Sequence, residues 1–376
     1  MIVKTLIRIS VSSTATLLFV LLFTACGYRP SVPPPRPIPE VLPELPPVYM
    51  ISTTNNTMVI GTDGTLWAKG DNISGELADG STIRRTFFDQ VGTSTDWAYV
   101  DAGRGHVVAV SEDGGLWAWG NNHRGRLGNN TQYDSHVPIR ILAGRGITWS
   151  AVAAGHTHTV AIQADGSLWA WGNNYNGQLG NGESGSFDIY KLSPTQIGTS
   201  TDWAHVFAYG WRTMAIKTDG SLWGWGSNDH GNLGDGTREA RPYPTLIEGG
   251  TSWVTIALGP RHTLGIKTDG SLWAWGDNWN GRLGDGTTTS RLSPVQVGTY
   301  TDWTDVAAGF SYTIATREDG SLWVWGSQTP LFFGGLAERD STVPTQIHPY
   351  EHWVSVAAGN NRAFAVTQDG RLLRLG

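Results

Sequence analysis

The stretch Asp269-Gly270-Ser271-Leu272-Trp273-Ala274-Trp275-Gly276 belongs to a phrase that recurs along the whole chain. Its Asp-Gly pair returns at Asp63-Gly64, Asp113-Gly114, Asp165-Gly166, Asp219-Gly220, Asp319-Gly320 and Asp369-Gly370. Successive aspartates are separated by 50, 52, 54, 50, 50 and 50 residues. Seven copies at a nearly constant period indicate a repeat protein, in which every unit folds alike and stacks on its neighbours.

Each phrase predicts a β-hairpin. Asp-Gly favours a two-residue hairpin turn, because that turn needs φ > 0 at both central residues. The runs before and after the turn, residues 262–267 and 272–275, have the length of short strands. Trp273 and Trp275 fall on the same face of the second strand. The aspartate is therefore interpreted as a turn residue rather than as a catalytic carboxylate.

Each unit contains four short strands, which we name A to D. In the unit that begins at Trp149 they are predicted at 149–155, 158–163, 167–171 and 194–197. Four short strands per unit without a helical period predict an all-β fold, a seven-bladed β-propeller formed by residues 48–376.

The tryptophans support this fold. Of the 19 in the chain, 17 stand at repeat positions, six at the start of strand A and eleven in strand C. A large ring at a fixed position suits the packing of one blade on the next, so we interpret these residues as core rather than as a binding platform. Trp211 and Trp279 are the two outside the pattern.

The N-terminus predicts export. Residues 1–25 combine Lys4 and Arg8 with an apolar run, as in a signal peptide. Phe23-Thr24-Ala25-Cys26 resembles the lipobox of bacterial lipoproteins, which implies a lipid on Cys26, the only cysteine. Ordinary signal-peptidase cleavage and an uncleaved membrane anchor are the alternatives. Residues 26–47 are rich in proline and read as a tether, with a proline-rich recognition ligand as the alternative.

Six D strands are visible, and the seventh unit reaches Gly376 directly after its strand C. An open propeller would leave an unpaired edge. We therefore expect part of the tether, about residues 38–42, to supply the missing strand and close the ring. Ile38-Pro39-Glu40-Val41 is predicted to pair with the outer edge of the blade that holds Trp353 and Leu373.

The repeat also resembles a known family. The patterns W-x-x-V-x-A-G, H-T-x-A-[IV], D-G-x-L-W-x-W-G-x-N and G-x-L-G-[DN]-G are similar to the repeats of the regulator-of-chromosome-condensation family, over about 330 of the 376 residues. The resemblance implies a seven-bladed propeller that binds proteins. Members of that family include a nuclear exchange factor on chromatin, a plant ultraviolet receptor and a secreted bacterial inhibitor of β-lactamases. The resemblance does not choose among such functions.

The residues argue against two of these functions. Without Lys4 and Arg8 the chain has 24 basic against 32 acidic residues, a net charge of −8, so a nucleic-acid partner is not expected. The receptor's G-W-R-H-T motif is approximated only by Gly210-Trp211-Arg212-Thr213, without the His, which argues against light sensing. No loop of this sequence matches a motif that would transfer β-lactamase inhibition to it.

The sequence predicts neither an enzyme nor a cofactor or metal site. His106, His158 and His262 share one slot at the start of strand B, which elsewhere holds Asn56, Arg212, Tyr312 and Arg362. A slot that accepts all these residue types is a structural hydrogen-bonding position. The Gly-Asp-Gly phrases at Asp235 and Asp285 leave calcium binding as the alternative to turn chemistry, although no stretch has the spacing of an EF-hand loop. No phosphate-binding loop, dinucleotide fingerprint or nucleophile elbow is present.

A binding scaffold remains the predicted function. The A–B and C–D loops emerge on one face of a propeller, and both vary between units while the strands do not. Aromatic and arginine residues dominate interface hot spots. The predicted partner-binding residues are Arg104, His156, Trp211, Arg261 and Phe310 in the A–B loops, and His123, Tyr175 and Trp279 in the C–D loops, where Ile73 and Asp229 share their slot. The predicted protein is a lipid-anchored scaffold of a bacterial cell envelope that binds an unknown protein, and the alternative is a glycan or cell-wall binder that uses Trp211, Tyr175 and Trp279.

Overall fold

The fold was obtained as a computed structural model. It describes residues 40–41, 45, 48–53, 56–141, 144, 146–249, 252–327, 340–359 and 362–375, all within one compact unit, residues 37–376. The described strands form seven sheets of four strands each. This confirms the seven-bladed propeller predicted from the repeat.

The strands are numbered in chain order and grouped by blade. Blades 1 to 3 comprise β2 (Val48–Thr53), β3 (Asn56–Gly61), β4 (Leu66–Gly70), β5 (Arg85–Gln90); β6 (Trp97–Ala102), β7 (His106–Ser111), β8 (Leu116–Gly120), β9 (Ser135–Arg140); and β10 (Trp149–Ala154), β11 (His158–Gln163), β12 (Leu168–Asn173), β13 (Tyr190–Gln196). Blades 4 and 5 comprise β14 (Trp203–Tyr209), β15 (Arg212–Lys217), β16 (Leu222–Gly226), β17 (Arg241–Glu248); and β18 (Trp253–Leu258), β19 (His262–Lys267), β20 (Leu272–Gly276), β21 (Arg291–Gln296). Blades 6 and 7 comprise β22 (Trp303–Ala308), β23 (Tyr312–Arg317), β24 (Leu322–Gly326), β25 (Ser341–Ile347); and β26 (Trp353–Ala358), β27 (Ala363–Thr367), β28 (Leu372–Arg374) with β1 (Glu40–Val41).

Two three-residue 3-10 turns, His123–Gly125 and Trp279–Gly281, are the helical segments in the described part of the chain. Neither approaches the length and apolarity that a bilayer-spanning helix needs.

The strands A lie innermost and run around a central channel. Neighbouring strands A are in contact from β2 through β6, β10, β14, β18 and β22 to β26, and β26 in turn contacts β2. The ring is thus closed at its centre, and the loops at either end of the strands form its two faces.

The hairpin turns differ from the prediction. In blade 5 the Gly270 amide donates to the Lys267 carbonyl over 2.9 Å, and the Lys267 amide donates to the Ser271 carbonyl over 3.0 Å. Gly270 has a φ of 75°, whereas Asp269 is not among the described residues with positive φ. The predicted two-residue turn with two positive φ angles is therefore wrong. The turn has three residues, and only its glycine adopts the left-handed conformation.

The aspartate of the turn instead accepts the first of two consecutive side-chain hydrogen bonds, which form a relay from tryptophan through serine to aspartate. Ser271 Oγ donates to Asp269 Oδ1 over 2.6 Å, and Trp273 Nε1 donates to Ser271 Oγ over 2.8 Å. In blade 2 the serine of this relay is replaced by glycine, and a hydroxyl from the preceding strand, on Ser111, receives the Trp117 Nε1 bond over 3.1 Å. These contacts account for the recurrent aspartate as a turn residue.

The strands D begin three to four residues earlier than the sequence predicts. Strand β13 starts at Tyr190 rather than at Pro194, and β21 starts at Arg291 rather than at Pro294. Proline cannot donate to a ladder, which favours a place at the start of a strand. An outermost strand can leave one side unbonded, however, so proline is tolerated inside it.

The N-terminal strand closes the ring as expected. Glu40 pairs with Arg374 and Val41 with Leu373, which makes β1 the outer strand of blade 7. In five other units the last apolar residue of strand D stands six positions before the next strand A tryptophan, which with Val41 predicts Pro47 in that slot. Val48 occupies it instead, so the register differs by one residue from this prediction. The Val48 amide donates to the Gly370 carbonyl over 2.9 Å, as the Trp97 amide does to Gly64. Ile38 and Pro39 lie outside the described residues.

The tryptophans fill the seams between blades, as predicted. The second tryptophan of strand C is fully buried in five blades, at Trp119, Trp171, Trp225, Trp275 and Trp325. The strand A tryptophans lie beside them; Trp253, for example, has its ring 5.7 Å from that of Trp275 at 70°. The first strand C tryptophan, such as Trp273, is only partly buried. Each seam is therefore a local core of its own.

Candidate functional site

The A–B and C–D loops lie on one face of the ring, which we call the loop face. Within blade 3 the Asn173 amide donates to the Thr157 carbonyl over 2.9 Å. Between blades 2 and 3, Arg126 Nη1 donates to the His156 carbonyl over 3.1 Å. These bonds join loops of both kinds, so the predicted partner-binding residues share a face.

An aromatic cluster forms on this face between blades 3 and 4. The His156 ring lies 5.6 Å from the Trp211 ring at 76° and 5.0 Å from the Tyr209 ring. The Trp211 residue is 45% exposed, and Arg104 is exposed beside these three rings. We use the name aromatic cluster for Arg104, His156, Tyr209 and Trp211.

Positive charge surrounds the imidazole of the cluster. Burial, together with the nearby charges of Arg104, Arg212 and Arg126, lowers the pKa of His156 to about 4. The Nδ1 atom of His156 is buried and has no hydrogen-bond partner among the described residues. The histidine is thus a neutral ring at pH 7, while Arg104 supplies the exposed charge.

Arg212 supports the cluster from below. Its side chain is buried, and its Nη2 atom donates to the Gly259 carbonyl over 2.5 Å and to the His262 carbonyl over 3.1 Å in the next blade. Burial lowers the pKa of this guanidinium to about 10, so it stays charged at pH 7. Arg212 thus makes structural hydrogen bonds to the next blade from the slot at the start of strand B, which is the role that the sequence predicted for this slot.

Tyr209 was missed by the sequence analysis. It occupies the slot that ends strand A, which in five other units is a glycine: Gly103, Gly155, Gly259, Gly309 and Gly359. A tyrosine in a glycine slot was a visible signal. It places an additional ring beside His156 at the mouth of the channel.

A second aromatic pair lies on the C–D loops. Tyr175 stacks on Phe187 with 4.2 Å between ring centroids and 16° between planes, and Arg124 lies 5.2 Å from the Phe187 ring. Phe187 and Arg124 were not predicted. The unit from Asp165 to Asp219 is four residues longer than the 50-residue period, and this extra length falls in the loop that carries Phe187.

The other predicted residues lie outside the aromatic cluster, although Arg282 donates to the carbonyls of both Trp279 and Phe310, over 3.0 and 3.2 Å. Trp279 is 70% exposed and Phe310 is 49% exposed, and Arg261 and His123 are also exposed. Within the described residues no ring contact joins Trp279, Tyr175 and Trp211. These three residues belong to blades 5, 3 and 4.

The channel holds two cavities, of about 540 and 230 Å³, lined by strands A. Two carboxylates in the lining connect neighbouring strands A. Asp101 Oδ2 accepts the Ala154 amide over 2.9 Å, and Asp305 Oδ2 accepts Ser355 Oγ over 2.9 Å and the Val356 amide over 3.0 Å. Burial raises the pKa of Asp305, and these hydrogen bonds act in the opposite direction. Both aspartates have structural roles.

Turn chemistry accounts for the Gly-Asp-Gly phrases. Asp235 Oδ1 accepts the Thr237 amide over 3.0 Å, and its Oδ2 accepts Arg241 Nε over 2.6 Å. Asp285 binds Thr287 and Arg291 in the same way. Within the described residues no group of three or more His, Cys, Asp or Glu side chains is placed to hold a metal ion. Cys26 lies outside the described residues.

Comparisons with known proteins place this geometry in a family. A family model described as the RCC1-like domain matches residues 25–365. The Homo sapiens E3 ubiquitin-protein ligase HERC2 is 27% identical over 229 residues, which cover 58% of this chain and 4% of HERC2. The ultraviolet-B receptor UVR8 of Arabidopsis thaliana is 36% identical over 118 residues, which cover 31% of this chain and 26% of the receptor. The chain therefore spans a minor part of the length of these relatives.

Solved structures agree on the fold. Yeast RCC1 (Prp20), crystallised with Kap60 bound, is similar with a TM-score of 0.73 at 19% identity, covering 88% of this chain and 81% of that chain. At this identity the likeness concerns the fold alone. Because the family model covers most of the sequence, the chain belongs to the RCC1-like domain family.

Proposed function

We propose that the chain is a non-catalytic scaffold that binds a protein partner through its loop face. The aromatic cluster is the observation that carries the proposal. It combines an exposed arginine, a half-exposed tryptophan and two further rings, which are the residue types enriched at interface hot spots. Yeast RCC1, a protein of the same fold, has been crystallised with a protein bound.

The charges of the loop face favour a partner with acidic groups. Arg104 and Arg261 are exposed and make no ion pair within the described residues, while the three charges that act on His156 are all arginines. An acidic group on the partner would pair with Arg104, which makes no ion pair in the described part of the chain. An apolar or aromatic side chain next to it would cover Trp211.

The test uses two variants of the cluster and one control. Partners captured from the source envelope by the full chain are identified and purified, and their dissociation constants are then measured. Trp211→Ala and Arg104→Ala should each weaken binding by about 2 kcal/mol or more, which is roughly thirtyfold. Tyr350→Ala is the control, because Tyr350 is 93% exposed but lies on a D–A connection, at the opposite face.

Equal affinities for all variants would place the partner elsewhere on the ring. A glycan array run with the same proteins addresses the alternative reading. Retention of a defined glycan that Trp211→Ala abolishes, with no protein captured, would replace the protein partner by a glycan.

The proposal also covers where the protein is located in the cell. We infer that Cys26 carries a lipid that holds the propeller at a membrane of the bacterial cell envelope. The support is the apolar run of residues 1–25 that ends at the lone cysteine. Residues 27–39 then form the link to β1.

A further inference from the structure

A cavity of about 260 Å³ lies at the seam between blades 7 and 1. Five of the residues that line it are cationic: Lys69, Arg84, Arg85, Arg362 and Arg374. Among the described residues no acidic side chain lines it. Such a concentration of positive charge is unexpected in a chain with a net charge of −6.

The cavity exists because this seam lacks two parts that close the others. In blades 2 to 6 the second strand C tryptophan fills the seam, and Trp171 Nε1, for example, donates over 3.0 Å to the Arg126 carbonyl in the C–D loop of the preceding blade. In blade 1 that slot holds Lys69. In blade 7 the outer strand is β1, so no C–D connection joins it to β28.

All five cations lie at strand ends on the loop face. Lys69 is the penultimate residue of β4, Arg85 is the first of β5, and Arg374 is the last of β28. Arg362 directly precedes β27 and Arg84 directly precedes β5. Their positive groups therefore converge from four different strands on one opening.

The repeat explains one of the five. Arg85 Nη2 lies 2.7 Å from Asp79 Oδ2, which reproduces the pairs Arg241–Asp235 and Arg291–Asp285 of other blades. Arg84 has no such counterpart, since the equivalent residue of blade 4 is Ala240. Its guanidinium lies 3.4 Å from Asp71 with the side chain 63% exposed, a loose surface pair that contributes little to stability.

Lys69, Arg362 and Arg374 are engaged in further interactions within the folded chain. The Lys69 ammonium, for example, lies 4.4 Å from the centre of the Phe88 ring. Such contacts hold the cations in place at the opening of the cavity.

We propose that the seam cavity binds a phosphate group, of a small phosphate ester or of a lipid headgroup. One guanidinium satisfies a planar carboxylate, whereas cations that converge from several strands suit a tetrahedral group with three acceptor oxygens and up to two negative charges. The volume is below the range of about 300–1,000 Å³ found for drug-sized ligands, which fits a small group of this kind.

The two sources are separated by experiment. Thermal unfolding of the full chain in neutral detergent is followed in chloride, in glycerol phosphate and in malonate at equal ionic strength, and again in micelles doped with phosphatidic acid. Glycerol phosphate alone should raise the melting temperature if the ligand is free, and only phosphatidic acid should raise it if the ligand is a headgroup. No shift with either phosphate, or an equal shift with malonate, would overturn the proposal.

Arg84→Gln tests the site without threatening the fold, because Arg84 is exposed. The variant should keep the melting temperature measured in chloride and bind the phosphate probe about tenfold or more weakly. Arg238→Gln is the matched control, since Arg238 is an exposed arginine of a C–D loop far along the chain from the cavity. Equal binding by wild type and Arg84→Gln would contradict the site.

Discussion

The imidazole Nε2 of His158 lies 2.9 Å from the hydroxyl of Thr213 in the next blade. That hydroxyl donates its only proton to the Gln178 carbonyl over 2.9 Å, so His158 must donate from Nε2. The Nδ1 atom of His158 is then a buried acceptor without a partner. His106 and His262 repeat this arrangement with Thr159 and Thr313. The histidine slot is a link between blades, as its tolerance of other polar residues predicted.

Replacing this link should destabilise the ring. His158→Ala removes a buried side chain and leaves Thr213 without its donor, and we expect a loss of about 2 kcal/mol or more in the free energy of unfolding. His123→Ala is the control, because His123 is an exposed residue at a C–D loop tip. Urea denaturation at pH 7.5 measures both, and equal midpoints would contradict the role of the link.

The same histidines should make stability depend on pH. Burial, together with the nearby His156 and Arg126, lowers the pKa of His158 to about 3. The unfolded chain therefore binds more protons between the ordinary histidine pKa of about 6.5 and the folded value. Stability is fully present above pH 6.5 and falls as the pH drops, by up to about 1.4 kcal/mol per pH unit for each such histidine.

The His158→Ala variant isolates one of these contributions. Its free energy of unfolding should fall less steeply than that of wild type between pH 6.5 and 5. The difference between the two free energies of unfolding at each pH is free of the contribution of the carboxylates, because their raised and lowered pKa values are common to both proteins. Parallel pH profiles would show that His158 is not held neutral by the fold.

The two tryptophans of one strand C should differ in their contribution. Trp275 is fully buried and its Nε1 donates to the Asn232 carbonyl over 3.1 Å, so Trp275→Ala should cost about 3–5 kcal/mol. Trp273 is partly exposed and packs under the Lys267 ammonium, 3.9 Å from its ring centre. Trp273→Ala should cost about half as much. Chemical denaturation orders the two, and the reverse order would contradict the assignment of the seams.

The proposed lipid on Cys26 has a direct test. Cys26→Ser removes the thiol that would be modified, so the protein should be released from membranes or remain unprocessed. Fractionation and intact-mass measurement distinguish a lipid-bearing chain from an unmodified one. An unchanged mass together with unchanged membrane partition would argue against the anchor.

Periodicity predicted the fold because every blade makes the same contacts. Strand β19 has the predicted bounds, since its neighbours recur in each unit. The turn at Asp269 was misjudged because Asp-Gly favours more than one turn, and the pairing of Lys267 with Ser271 chooses between them. The predicted starts of the strands D were wrong because proline is tolerated inside a strand only when that strand is the outermost of its sheet. The position of a strand in its sheet is a property of the fold and is not visible in the local sequence.

The candidate site was less predictable because it depends on departures from the repeat. His156 and Trp211 were both expected on the loop face, and their contact follows from belonging to adjacent blades. Tyr209 stands in a strand slot, outside the loops to which variation had been assigned. The seam cavity could not be predicted from the sequence, because Lys69 and Arg374 are far apart in the chain and both line the cavity only when the ring closes.

Closure by β1 should contribute measurable stability. The strand pairs Glu40 and Val41 with β28, and Leu45 packs, partly buried, on the cluster that contains Val48, Phe88 and Phe364. A chain that starts at Val48 loses both contributions and exposes the edge of β28. A chain that starts at Pro33 retains them. We expect the shorter chain to melt at least about 1–2 °C lower, the shift that corresponds to a loss of roughly 1 kcal/mol in a domain of this length.

A third chain separates strand pairing from packing. It starts at Pro33 and carries Leu45→Ala, so it keeps β1 while losing the buried part of the Leu45 side chain. If strand pairing closes the ring, its melting temperature should lie between those of the other two chains. Equal melting temperatures for the chains that start at Pro33 and Val48 would mean that residues 33–47 add nothing to the fold. In that case the pairing of Glu40 with Arg374 would be too weak to hold the ring shut, and the tether would serve only as a spacer.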